Sequence, residues 1–240
     1  MKIDYVVIAS DSNPLYTDFY APVSKVWNHF GYKTFMLEIC DEESDIYETE
    51  FGIYKKVKSV SDNTALQSQV VRLYANRILK NKNLLLSDID MMPMSIEYFE
   101  NRSNDLPSDK ILLYSGQPYK VNPFYPMCYV LANSDIISNA LGITDKSFKE
   151  FVDYLSENYK GDTKWGTIWN TDENFMYDKL SNYKDIILLN DRDPNRRVNR
   201  VNWGYDDEKV KNGYYIDSHL LRPYKQYKGD IERMVNLIIK

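Results

Sequence analysis

The stretch Leu84-Leu85-Leu86-Ser87-Asp88-Ile89-Asp90 decides how this sequence folds and where its chemistry lies. Three leucines bounded by polar residues predict a short buried strand. Open α/β sheets hold their ligands just outside the carboxyl ends of strands, and only Ser87 separates the leucines from Asp88. If the chain stays extended here, Asp88 and Asp90 face the same side, with Cα atoms about 6.6 Å apart at about 3.3 Å per residue. The sequence therefore predicts a site built on two converging carboxylates.

The flanking sequence alternates between strand and helix patterns. Apolar runs predict further strands at residues 3–10, 32–39, 54–60, 111–115, 128–132 and 186–189. Apolar residues at helical spacing predict helices near residues 21–30, 64–79, 144–155, 171–180 and 229–240, with Thr64 starting a capping box and Thr144 capping its helix. Residues 191–213 are polar and predict a long loop. This order favours an α/β fold with a mostly parallel central sheet flanked by helices.

Length and composition limit the class of protein. A chain of 240 residues with 43% hydrophobic and 27% charged residues is typical of one folded domain, here residues 1–240. The net charge of −5 argues against a nucleic-acid partner, because phosphate backbones are bound by clustered Lys and Arg. Two distant cysteines predict no disulfide, and no run reaches the about 18 apolar residues of a membrane span. The first apolar run suits a buried strand better than a signal peptide, so we expect a cytoplasmic protein.

The carboxylate pair predicts a hard divalent cation. Mg²⁺ and Mn²⁺ are usually held by one or two carboxylates together with substrate phosphates. An Asp-x-Asp triplet also occurs by chance on solvated loops. Its position directly after a leucine-rich strand favours a site, since burying unpaired carboxylates is unfavourable unless a cation or hydrogen-bond donors compensate.

Four segments together resemble glycosyltransferases of the GT-A (Rossmann-like) fold that use an Asp-x-Asp motif, with likeness to glycosyltransferase family 8 and to small viral glycosyltransferases. They are residues 8–16, Arg72 on the helix before the motif, residues 88–90, and residues 217–224, which contain a histidine followed by Arg-Pro-aromatic. The resemblance implies that residues 1–90 bind the nucleotide and residues 91–240 the acceptor.

The resemblance also implies roles for individual residues. Asp90 would bind the metal, Asp88 would bind the metal or the hydroxyls of the ribose and sugar, and His219 would complete the metal shell. An imidazole added to oxygen ligands favours Mn²⁺ over Mg²⁺. The nucleotide, a UDP-sugar by resemblance, would be bound by Ala9, Asp11, Asn13, Tyr16, Arg72 and Arg222. The alternatives are an ordinary strand-to-helix turn at residues 9–16 and a solvated charge at Arg72.

The reacting end is predicted at residues 164–174, where aromatic residues precede Asp172 and Glu173. Either acid could act as a general base or position the sugar, whereas the alternative is a helix N-terminus enriched in acids. Four arginines in the predicted loop could close over a diphosphate or simply be solvated: Arg192, Arg196, Arg197 and Arg200.

We therefore expect a metal-dependent glycosyltransferase that moves a sugar from a UDP-sugar to a hydroxyl of a carbohydrate acceptor on a glycan or glycoconjugate. One alternative is a phosphatase of the haloacid-dehalogenase type with Asp88 as nucleophile. That motif normally lies near the N-terminus, whereas here a strand, helix, strand unit precedes it. The other alternative is a GT-A module that binds carbohydrate without turnover.

Overall fold

The computed structural model describes residues 1–116, 124–159, 170–190 and 192–240. Within these ranges the centre of the molecule is an eight-stranded sheet in the order β3-β4-β2-β1-β5-β8-β7-β9. Its strands are β1 (Tyr5–Asp11), β2 (Thr34–Cys40), β3 (Tyr47–Thr49), β4 (Gly52–Lys58), β5 (Asn83–Ser87), β7 (Ile111–Leu113), β8 (Tyr129–Asn133) and β9 (Ile186–Leu188). A second sheet has the order β10-β11-β6, from β6 (Met91–Pro93), β10 (Arg197–Asn199) and β11 (Asp217–His219).

Most strands of the central sheet run in one direction. The pairs β4–β2, β2–β1, β1–β5 and β7–β9 are parallel, whereas β3 and β8 run against their neighbours. The predicted α/β fold with a mostly parallel central sheet is therefore confirmed.

Helices cover both faces of this sheet. They are α1 (Pro14–Thr17), α2 (Tyr20–His29), α3 (Thr64–Ile78), α4 (Ile96–Ser103), α5 (Ser134–Leu141), α6 (Phe148–Asn158), α7 (Thr171–Leu180), α8 (Asp207–Lys211) and α9 (Tyr224–Ile238). In β1, Val6 and Ile8 pack with α2 and α9, while Val7 and Ala9 pack with α3, α5, α6 and α7. Burial on both faces explains why the strands read as continuous apolar runs rather than alternating ones.

The three-stranded sheet joins residues 91–93 to residues 197–199 and 217–219 at the carboxyl end of β5. Strand β6 begins directly after Asp90, and its Met91 pairs with His219 of β11. The backbone N–H of Leu220 donates to the Asp90 carbonyl at 3.0 Å. This pairing fixes the late histidine segment beside the acidic motif.

Two predicted helix caps were wrong. Helix α3 is capped by Asn63, whose side chain accepts from the Leu66 N–H at 3.1 Å, and the side chain of Gln67 accepts from Val60 N–H outside the helix. Helix α6 is capped by Ser147, which forms a capping box with Glu150. The cap is the residue directly before the first helical residue: Thr64 already belongs to the first turn of α3, and α6 begins at Phe148, three residues too late for Thr144 to cap it.

The predicted loop at residues 191–213 was also wrong in its described part, residues 192–213. It contains β10, helix α8 and two short 3-10 turns at Pro194–Arg196 and Arg200–Asn202. Parallel pairing with β11 satisfies the β10 backbone, and Val198 is buried in the core. A pairing partner so distant in sequence leaves no local pattern, so the segment reads as a loop. Among the described residues, no helix has the length and apolar character needed to cross a membrane.

Candidate active site

A cavity of about 600 Å³ opens at the carboxyl ends of β1 and β5. This volume is within the range of small-molecule sites, about 300–1,000 Å³. Every residue that the sequence predicts for the site lines it: Ala9, Asp11, Asn13, Tyr16, Arg72, Asp88, Asp90, Asp172, Glu173, His219 and Arg222. The fold thus brings together side chains from five separate segments.

The acidic motif itself adopts a turn, so the predicted extended conformation was wrong. The N–H of Met91 donates to the Asp88 carbonyl at 3.2 Å, and residues 89–90 form the turn. Ile89 is anchored in the core, and β6 must begin at Met91, which together bend the chain. Asp88 and Asp90 still line the same cavity.

Arg72 joins the acidic motif to the second predicted pair of acids. It is buried at 6% exposure, which excludes the alternative of a solvated charge. One guanidinium nitrogen, Nη1, donates to Asp88 Oδ1, and Nη2 donates to Asp172 Oδ2 at 2.8 Å. Burial of the Asp88 carboxyl opposes its ionisation, but the Arg72 guanidinium outweighs this and lowers the pKa of Asp88. Arg72 therefore holds two carboxylates in fixed positions on the cavity wall.

Asp90 is the centre of a second charged cluster. It is 5% exposed, and its Oδ2 accepts from Arg200 Nη2 at 2.9 Å. The same oxygen lies 3.7 Å from His219 Nε2 and 3.8 Å from Arg222 Nε. Burial, and then the positive charge of Arg200, lower the pKa of His219 to about 3, so its imidazole is neutral at physiological pH. The sequence analysis placed Arg200 in a loop that could close over a diphosphate, but it did not predict this contact with the acidic motif.

The segment after β1 forms the cavity wall opposite α7. Asp11 Oδ2 accepts from Thr64 Oγ1 at 2.9 Å, and the Asn13 side chain caps α1 by accepting from Leu15 N–H at 3.0 Å. The guanidinium carbon of Arg222 lies 5.0 Å from the ring centroid of Tyr16, a cation–π contact. Arg222 Nη1 also donates a hydrogen bond to the Tyr16 hydroxyl. The sequence did not predict this contact between the first and last site segments.

Asp172 and Glu173 begin helix α7 on the far side of Arg72. Burial raises the pKa of Asp172 even with Arg72 beside it. Glu173 Oε1 accepts from the Met127 N–H at 3.2 Å. Burial, and then the charges of Asp172 and Asp88, raise the pKa of Glu173 to about 8, so this carboxyl is protonated at neutral pH. The aromatic residues predicted beside them, Trp165 and Trp169, lie outside the described residues.

The arginines of the predicted lid divide into two groups. Arg192, Arg197 and Arg200 line the cavity, whereas Arg196 donates to the Tyr214 carbonyl on another surface. Arg192 and Arg197 both bond Asp217, a buried residue that sequence reasoning missed. The spacing of Asp217 and His219, two residues apart on one strand, is the signal that could have identified it.

The donor set suits a divalent cation by chemistry. Carboxylate oxygens with a neutral imidazole nitrogen are ligands that Mn²⁺ accepts. Within the described ranges, no three His, Cys, Asp or Glu side chains are grouped closely enough to hold an ion, and Arg72 and Arg200 bond the two carboxylates of the motif. Asp88, Asp90 and His219 are the residues that would hold it.

No protein-family model matches the sequence, and no curated protein matches it. Solved structures do match. The galactosyltransferase LgtC in complex with donor and acceptor sugar analogues aligns with a TM-score of 0.53 and 12% identity over 98% of this chain and 95% of that chain. An active-site mutant of LgtC aligns with a TM-score of 0.52 and 13% identity over 97% of this chain and 94% of that chain. The chain therefore shares the α/β fold of these two glycosyltransferase structures over nearly its whole length.

Proposed function

We propose that this protein is a metal-dependent glycosyltransferase that moves a sugar from a UDP-sugar to a hydroxyl group of a carbohydrate acceptor. The observation that carries the proposal is the meeting of Asp90 and His219, far apart in the sequence, at 3.7 Å on the wall of one cavity. Asp88 and Arg72 line the same cavity in a fold shared with a galactosyltransferase. An isolated Asp-x-Asp on a solvated loop would have no such surroundings.

The cation would be held by Asp88, Asp90 and His219. When bound, it supplies positive charge that stabilises the diphosphate as it leaves the sugar. The neutral state of His219 keeps a lone pair on its imidazole available, since only an unprotonated ring nitrogen can ligate. Asp90 must release Arg200 in part to take up this role, because its Oδ2 accepts from that arginine.

Arg200 and Arg222 are placed to bind the donor diphosphate. Arginine presents a planar set of donors that matches phosphate oxygens. Arg200 Nη1 is buried and has no hydrogen-bond partner within the described ranges, which leaves one donor for a ligand. A buried donor without a partner is unfavourable, and a phosphate oxygen would satisfy it.

The remaining predicted residues are assigned to the nucleoside and the sugar. Ala9, Asp11, Asn13 and Tyr16 would surround the base and ribose at the end of β1. The fixed carboxylates of Asp88 and Asp172 would accept from sugar hydroxyls near Arg72. Glu173, which is protonated at neutral pH, would donate a hydrogen bond in the free enzyme.

Calorimetry of UDP binding tests the proposal. UDP should bind the wild-type protein at least tenfold more tightly with Mn²⁺ than without it, and Asp90→Ala and His219→Ala should each remove that enhancement. Asp109→Ala, at an exposed acid outside the cavity, is the matched control and should keep it. Equal UDP affinity with and without Mn²⁺ in the wild-type protein would refute the metal-dependent site.

Turnover distinguishes the alternatives. A transferase releases UDP from a UDP-sugar only when metal and acceptor are present. Hydrolysis of a simple phosphate ester without UDP binding would instead identify the phosphatase. Metal-dependent UDP binding without release of UDP from any of a panel of UDP-sugars and acceptors would identify a binding module.

A further inference from the structure

Asp217 bonds two arginines at once. Its carboxylate has no exposed surface, and it accepts from Arg192 Nε at 2.8 Å and from Arg197 Nε at 2.7 Å. Arg192 Nη2 lies 2.6 Å from Asp217 Oδ2 but makes no hydrogen bond with any described residue. The Arg192 side chain is itself 8% exposed, and its guanidinium lies 5.3 Å from the ring centroid of Tyr129. We call Arg192 and Arg197 the arginine pair. These contacts fix both guanidinium groups rigidly.

The arginine pair carries more positive charge than its surroundings neutralise. One carboxylate opposes two guanidinium groups, and no second acid lies within ion-pair distance of either arginine in the part of the chain that the structure describes. The other polar neighbour is Cys128, whose Sγ accepts from Arg192 Nη1 at 2.9 Å. Burial raises the pKa of the Cys128 thiol, so it stays neutral. Asp217 therefore shares one negative charge between two guanidinium groups, and an anionic ligand in the cavity would balance the second positive charge.

The arginine pair lines the same cavity as the acidic motif. In β11, Asp217 pairs with Arg197 and His219 pairs with Asn199. Along a strand two residues span about 6.6 Å, at about 3.3 Å per residue. The positive charge near Asp90 belongs to Arg200 and Arg222, which are the residues assigned to the diphosphate. The cavity therefore has a second cationic position.

We propose that the arginine pair binds a carboxylate carried by a carbohydrate substrate, so that this protein acts on an acidic sugar of the uronic acid type. The transfer of an acidic sugar rests on the proposed function, whereas the binding of a carboxylate by the arginine pair does not. The acidic sugar could be the transferred unit or the acceptor, because the chemistry recognised is the same. Two guanidinium groups on a buried wall form charge-assisted hydrogen bonds to a carboxylate, whereas a neutral sugar offers only hydroxyls.

Arg197→Gln is the best test variant. It removes the excess charge while Asp217 keeps its bonds to Arg192, so the remaining ion pair is balanced. The matched control is Arg196→Gln, which removes the same charge from the adjacent residue outside the cavity. Both variants are compared with the wild type in three binding arms, each in the presence of Mn²⁺: UDP alone, UDP-glucuronate against UDP-glucose, and methyl glucuronide against methyl glucoside.

The inference predicts a preference for the acid of on the order of tenfold or more in the UDP-sugar arm or the methyl glycoside arm, since a hydrogen bond to a charged group is stronger than one to a neutral group. The arm that shows it identifies the source of the carboxylate. Arg197→Gln should abolish the preference, leave the affinity for UDP within about twofold, and unfold at the same temperature as Arg196→Gln.

Two results would overturn the inference. One is the absence of any preference for the acidic sugar in both arms of the wild-type protein. The other is a loss of UDP affinity in Arg197→Gln as large as its loss of UDP-glucuronate affinity, which would assign the arginine pair to the diphosphate. Failure of UDP to bind would contradict the proposed function. The methyl glycoside arm contains no nucleotide, so it would still test the binding of the acidic sugar.

Discussion

Replacing Arg72 by alanine should destabilise the protein through one buried carboxylate. Asp172 is 2% exposed and accepts from Arg72 at 2.8 Å, so the substitution leaves a buried charge without its partner. Removing one member of a buried ion pair costs about 3–5 kcal/mol. The Asp88 side chain is 35% exposed, so water can solvate it once Arg72 is removed. We therefore expect the loss of the Arg72–Asp88 ion pair to change the free energy of unfolding only slightly. The free energy of unfolding should therefore fall by about 3–5 kcal/mol at pH 7.

The measurement is urea denaturation followed by tryptophan fluorescence, with the buried Trp27 as an internal probe. The loss should shrink as the pH falls towards the ordinary pKa of an aspartate. Without Arg72, the pKa of Asp172 in the folded state rises further above its value in the unfolded state. As the pH falls, Asp172 therefore takes up a proton in the folded state before it does so in the unfolded state, and this removes the unpaired buried charge. Adding Asp172→Asn to Arg72→Ala should recover most of the loss at pH 7, because the amide carries no charge.

Arg77→Ala is the control on the same helix. Arg77 makes no ion pair with any residue of the described ranges, so its loss should stay below about 1 kcal/mol. The reasoning is wrong if Arg72→Ala costs no more than Arg77→Ala. It is equally wrong if the double variant Arg72→Ala/Asp172→Asn is as unstable as Arg72→Ala alone.

Two further predictions concern stability. Because the pKa of Glu173 is raised from 4.5 to about 8 in the folded protein, the folded state binds the extra proton and the free energy of unfolding should fall as the pH rises from about 4.5 to 8. Urea midpoints across this range should show that slope in the wild type and a smaller one in Glu173→Gln; identical slopes would contradict the assignment. Ser147→Ala should lower the free energy of unfolding by about 1 kcal/mol by removing the capping box of α6, whereas Thr144→Ala should change it by less than about 0.5 kcal/mol. If urea denaturation instead shows the larger loss for Thr144→Ala, then Thr144 and not Ser147 caps α6.

Local patterns in the sequence were sufficient for the central strands and for most helices. Leu84, Leu85 and Leu86 are buried at 1% exposure or less because a strand covered by helices on both faces must be apolar throughout. The same reasoning placed the acidic motif at a strand end. The caps of α3 and α6 were missed because several polar residues near a helix start can compete for the same role, and their backbone angles decide among them.

The resemblance to glycosyltransferases supplied the membership of the site, and the cavity contains all of those residues. It did not supply their partners. The sequence pattern identifies Arg72 only as a polar residue on a helix. The packing of α7 against α3 brings Asp172 into contact with it. Arg200 reads as part of a loop until β10 pairs with β11 and brings it to Asp90.

The sequence by itself determined the α/β class and the strand that carries the acidic motif, because these follow from burial and periodicity over a few neighbouring residues. The tertiary structure alone decided which charges meet. Asp90 with His219 and Arg72 with Asp172 join distant parts of the chain, whereas Asp217 meets its two arginines across a shorter separation through strand pairing. The register of the small β10-β11-β6 sheet and the packing of α3 against α7 fix these contacts, and neither leaves a local trace in the sequence.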